Sequence, residues 1–180
     1  MHSCQVDPNP CGLSEAVMKD IYSLDSVMTT TKKIDKHDEW MNQNYDEPSI
    51  LFAEKETYRF FWEHSFGGTK IYRIEQIDNH FKATKKVFES HDDTIGITNE
   101  FYISKEVWTN IVDSLTVTNF WTYPTFIDRQ GLDGASWFLE GYKPIKDKCT
   151  LKNYHYIGRW SPIDTTFISM CDLFSNLKEE

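Results

Sequence analysis

The sequence predicts one α+β domain in which an antiparallel sheet of about five to seven strands is packed by two or three helices. Three observations predict it. From residue 49 onward, strand-length runs of β-branched and aromatic residues recur, and Gly67-Gly68 and Asp78-Asn79 punctuate them as turns. Aromatic residues make up 15% of the chain, and their flat rings pack well across a pleated surface. Two amphipathic stretches, one after Ser104 and one after Ser161, begin with a capping residue and read as helices that cover the sheet.

The length, 180 residues, suits one domain with an attached arm: residues 1–48 as arm, short helix and flexible linker, and residues 49–180 as the α+β domain. In the arm, Pro8, Pro10 and Gly12 keep the chain irregular. Ser14 then caps a short helix over 14–24, with Val17, Ile21 and Leu24 at helical spacing. Residues 25–48 show no apolar period, so they read as a long loop whose charges, Asp38 and Glu39 among them, are solvated.

Within the domain, Ile50–Ala53 is a short apolar run, followed by the strand-like Tyr58–Glu63. The Asp78-Asn79 pair tolerates positive φ and predicts a hairpin of Lys70–Ile77 with His80–Phe88. A further strand spans Ile97–Ile103. Val107, Ile111 and Leu115 then give a helix over 105–116, and Pro124 halts the aromatic connection that follows. Ala135–Tyr142 pairs most simply with Asn153–Trp160. Ser161-Pro162-Ile163-Asp164 reads as cap, first-turn proline and acidic third position of a last helix. That helix buries Ile163, Phe167, Met170, Cys171, Phe174 and Leu177.

The formal charge of −9 opposes attraction to a phosphate backbone, so nucleic acid is not the expected partner. It is compatible with solubility or with a basic partner and does not select between them; an immunity-type inhibitor of a basic toxin fits the size and charge. No apolar run approaches the length of a bilayer crossing. The N-terminus lacks a charged start followed by an apolar stretch. As written, the chain reads as soluble and cytoplasmic; with a leader removed, it reads as an envelope or periplasmic protein. Cys4, Cys11, Cys149 and Cys171 form no metal-like spacing, and a Cys4–Cys11 bridge is an option in an oxidising compartment.

The segment Gly131-Leu132-Asp133-Gly134-Ala135-Ser136-Trp137-Phe138-Leu139-Glu140-Gly141, followed by Tyr154-His155 and Arg159-Trp160-Ser161-Pro162, resembles a group of uncharacterised bacterial proteins, several of them predicted lipoproteins. Tyr58-Arg59-Phe60 and Phe120-Trp121 with Pro124 fit the same pattern, so the resemblance covers roughly the last two-thirds of the chain. It implies no established activity and transfers no catalytic residue.

Read chemically, the same segment holds the candidate ligand or partner site: Asp133, Glu140, His155, Arg159 and Ser161. A register placing Trp137 beside Trp160 sets Phe138 beside Arg159 and brings Glu140 within diagonal reach of the guanidinium. The favoured reading is a structural Glu140–Arg159 ion pair that fixes the hairpin register. The alternative is an anion site formed by Arg159, His155 and Ser161 at a helix N-terminus. The histidines of His37-Asp38-Glu39 and His91-Asp92-Asp93 read as surface side chains, with no H-x-x-x-H spacing. No metal site and no cofactor are expected.

No nucleophile elbow, phosphate loop or catalytic-cysteine signature is present. The expectation is therefore a non-catalytic binding or interaction domain. Its contact patch would be marked by one or two exposed tryptophans among the 6 present. The alternative is a hydrolase with a dispersed site that uses Asp133 or Glu140 with His155.

Overall fold

Six strands pair antiparallel throughout in the order β4-β3-β2-β1-β5-β6, where β1 is Thr57–His64, β2 Thr69–Ile77, β3 His80–Phe88, β4 Ile97–Ile103, β5 Ala135–Tyr142 and β6 Tyr154–Trp160. The computed structural model describes residues 37–50, 53, 55–90, 95–125, 131, 133–144 and 154–178. Three helices accompany the sheet in the described residues: α1 (37–45), α2 (Lys105–Val117) and α3 (Thr165–Ser175). The expected α+β class and antiparallel sheet are therefore present. The helix expected over 14–24, the Cys4–Cys11 bridge and His91 lie outside the described residues.

Local signals explain the elements they predicted. The β2–β3 hairpin closes at Asp78-Asn79, with Asp78 at φ 54°, the left-handed conformation a two-residue turn demands. The Ser104 side chain accepts the Val107 N–H at 3.3 Å and starts α2, which buries Trp108, Ile111 and Leu115 along one face. Gly68 leads into β2 against the β3 end: a Cβ there would stand 1.7 Å from the Phe88 carbonyl oxygen, so no other residue fits.

Alternation along the strands separates two apolar clusters. Tyr58 and Phe60 of β1, with Tyr72, Ile74, Leu139 and Ile157, pack against α2 and α3 through Trp108, Ile111, Leu115, Phe167, Met170 and Phe174. Phe61, Ile71 and Phe88 point the other way and meet Met41, Trp40 and Tyr45 of α1. Helices thus cover both faces of the sheet, and β1, next to its middle, is buried on both.

Several expectations are corrected. Residues 37–45 of the supposed linker are helical, and Glu47 just beyond them is fully buried. The loop reading failed because α1 buries a short run, Trp40, Met41 and Tyr45, too brief to show a period, and fills the rest of its seat with charge. Ile50 and Ala53 are not strand. The last helix starts at Thr165, not Pro162. Its N-cap is Asp164, whose Oδ1 accepts from Thr166 N at 3.0 Å and Phe167 N at 3.4 Å. Ser161, at φ 40°, is instead held by β5: its N–H donates to the Ala135 carbonyl and its hydroxyl accepts the Ala135 N–H. Ile163 is consequently 70% exposed, while Phe167, Met170, Cys171 and Phe174 are buried as expected.

Candidate functional site: a charge cluster beneath helix α1

The site grows from one register position. β1 and β5 place Arg59 opposite Glu140, on the α1 face and next to the paired rings of Phe61 and Phe138. Arg59 Nε donates to Glu140 Oε2 at 2.6 Å, with both side chains buried. The Tyr154 hydroxyl of β6 donates to the other oxygen at 2.8 Å. Burial pushes the Glu140 carboxyl up, but the charges of Arg59 and His37 and the hydrogen bonds from Arg59 and Tyr154 together hold it below the usual carboxylate range. Burial and the neighbouring Glu140 raise the Tyr154 phenol well above its usual value, so it remains a donor.

The end of α1 completes the cluster. Asp46 turns left-handed at φ 50°, and the Glu47 N–H reaches back to the Met41 carbonyl, the closure that ends many helices. That turn drives the Glu47 carboxylate under the sheet, 3.0 Å from Lys86 Nζ, 3.3 Å from Arg73 Nε and 3.7 Å from Arg59 Nη1. None of these contacts is an aligned hydrogen bond to Glu47; the attraction is that of charges. Lys86 donates to the Tyr45 and Asp46 carbonyls at 2.9 and 2.7 Å, where a cation satisfies the open end of the helix. Arg59 adds a bond to the Pro48 carbonyl and a contact with Asp38. Arg73 also pairs with Glu75 at 2.8 Å. Three cations therefore meet four carboxylates in one seat.

His37, on α1, lies beside this seat. Its ring lies 4.7 Å from Phe138 and 5.3 Å from Tyr156 between centroids, with Trp40 and Phe61 closing the box. The expected surface histidine is thus a buried one, its side chain 9% exposed.

The expected site residues are divided between the two faces of the sheet. β5 and β6 pair with Trp137 opposite Arg159 and Glu140 opposite Tyr156, one residue away from the expected register. A slip of one position sends a side chain to the other face. Arg159 therefore lies among α3 residues, its guanidinium over the Phe167 and Tyr123 rings, and Glu140 lies under α1. The expected Glu140–Arg159 ion pair does not form.

Arg159 instead donates to the Pro124, Thr125 and Gly158 carbonyls and fastens the chain at 124–125 along the outer edge of β6. His155, also on this face, meets the Tyr123 carbonyl at 2.9 Å, and burial lowers its basicity. The N-terminal turn of α3, expected as an anion site, is already taken by Asp164, which also receives the Tyr123 hydroxyl. Asp133 is exposed in its turn.

Sequence reasoning missed Arg59, Arg73, Lys86, Glu47 and His37. One signal was available: Arg59 stands inside the unbroken run Tyr58-Arg59-Phe60-Phe61-Trp62, and a charge inside a strand covered on both faces requires a buried partner.

Among the described residues, no group of three or more His, Cys, Asp or Glu side chains can hold a metal ion. No described helix is long and apolar enough to cross a membrane. None of the 6 tryptophans is exposed, so the expected tryptophan contact patch is absent. An open groove of about 510 Å³ runs between α2 and α3, lined by Val107, Ile111, Leu173 and Leu177 with Asn110 and Asp172 at its rim. Compared with known proteins, the chain matches no family model, no curated protein and no solved structure.

Proposed function

We propose that this chain is a non-catalytic binding domain that engages a protein partner. The observation that carries the reading is the division of its polar candidates between opposite faces of the sheet. Glu140 is sealed by Arg59 and Tyr154, while His155 and Arg159 are committed to backbone carbonyls on the far side. A general acid or base must reach a substrate proton within hydrogen-bond distance, and each of these groups is instead engaged by the protein's own atoms. The acidic balance of the chain favours a basic partner, and the α2–α3 groove offers apolar side chains for contact.

The test pairs two measurements on the full chain. Assayed against chromogenic esters, phosphomonoesters and glycosides, the protein is expected to show no turnover above buffer. Affinity capture with wild-type bait and with Leu173→Asp bait is expected to retain a basic protein on the first and lose it on the second. Turnover that Glu140→Gln abolishes would contradict the proposal and restore the hydrolase alternative.

A further inference from the structure

His37 occupies an unusual position. Four aromatic rings surround its imidazole, from Trp40 on α1, Phe61 on β1, Phe138 on β5 and Tyr156 on β6. Its Nε2 is buried and has no hydrogen-bond partner. Glu140 Oε1 stands at 3.7 Å, beyond hydrogen-bond length. That carboxylate already serves two donors, Arg59 Nε and the Tyr154 hydroxyl.

We infer that His37 is a proton-operated release for helix α1: when its imidazole takes up a proton, the helix loosens from the sheet. The neutral ring is an aromatic panel that fits its box. The charged ring is a buried cation that must share one carboxylate with a guanidinium already bound to it. The charged and titratable groups that face it come from every element of the seat: Asp38 on α1, Arg59 on β1, Glu140 on β5, and Tyr154 and Tyr156 on β6. Asp38 and Glu140 favour the proton, Arg59 opposes it, and burial opposes it most.

The buried ring therefore binds a proton less readily than a free imidazole, whose reference value is 6.5. In the released helix the ring returns to water and regains its ordinary affinity. The sign follows from linkage. The seat holds at full strength above the free value and weakens as pH falls below it, until the lower value of the seated ring is passed. Glu140, held below the usual carboxylate range, stays ionised across that window. One proton sets the ceiling at about a tenfold loss of seating per pH unit.

Hydrogen exchange on the full chain, followed by mass spectrometry from about pH 7.5 to about pH 5.5 and corrected for intrinsic rates, reads the seat directly. In the wild type, protection of residues 37–45 is expected to fall below the free-imidazole value by up to about tenfold per pH unit. In His37→Phe, whose ring fills the box and cannot take a proton, protection in that window is expected to stay flat. An equal fall in His37→Phe, or a flat wild type, overturns the inference. Should the variant fail to fold, the imidazole resonances of the wild type decide: titration of His37 below the reference value supports the release, and titration at or above it overturns it.

Discussion

Glu140 and Arg159, two residues of one β-hairpin, lie on opposite faces of the sheet: Glu140 beneath α1 against Arg59, Arg159 beneath α3 against Phe167. The residues that look most reactive in the sequence are thereby separated by the thickness of the sheet. The separation gives a direct expectation for mutagenesis. Groups that share no partner act additively, so the urea-unfolding losses of Glu140→Leu and Arg159→Met should sum in the double variant to within about 0.5 kcal/mol. The register expected from the sequence would instead give the pair a coupling.

Asp164 and Ser161 compete for the role of cap on α3, and the structure assigns it to Asp164. Asp164→Ala is expected to cost about 1 kcal/mol and to shorten exchange protection at Thr166 and Phe167. Ser161→Ala, by contrast, should leave those amides protected and expose the Ala135 N–H, its hydrogen-bond partner.

Gly141 faces the Tyr58 and Phe120 rings, each 2.8 Å from where a Cβ would stand. Gly141→Ala forces two buried rings apart and is expected to lower stability by about 1–3 kcal/mol, measured as a shift of the urea midpoint.

Acid should unfold the domain through its paired carboxylates. Glu140 is held low by Arg59 against the pull of burial, and Asp164 is held low chiefly by the Tyr123 hydroxyl. Depressed native values stabilise above the ordinary carboxylate values, 4.5 for Glu and 3.8 for Asp, and the gain is lost as pH falls through the lower native ones. The urea midpoint is thus expected to decline steadily below about pH 4.5. Asp164→Asn should show a shallower decline than the wild type.

How much of this was legible in the sequence depends on how local each signal is. The Asp78-Asn79 hairpin and the Ser104-capped helix carry their instructions within a few residues, and both appear within a residue of their expected bounds. The β5–β6 register was not legible, because the connection between the strands is long and the alternation on both strands tolerates either of two pairings. Two interactions outside the hairpin decide between them: Arg59, 81 residues from Glu140 in the chain, and the Pro124–Thr125 carbonyls that draw Arg159 to the other face. Helix α1 escaped notice for a related reason. Its seat is built from Glu47, Lys86 and Arg73, charged residues that a linear reading assigns to solvent.

The candidate site was half legible. Glu140 stands out in the sequence as the acid of interest, whereas Arg59, its partner, enters there only as part of the Tyr58-Arg59-Phe60 pattern.

A double-mutant cycle on Arg59 and Glu140 tests the account most directly, since both the structural role of Glu140 and the seat of α1 rest on that pair. Arg59→Met or Glu140→Leu alone leaves a buried charge without its partner and is expected to cost about 3–5 kcal/mol in urea unfolding, while the double variant should recover most of that loss. Additive losses, with the double variant as unstable as the two singles combined, would contradict the account.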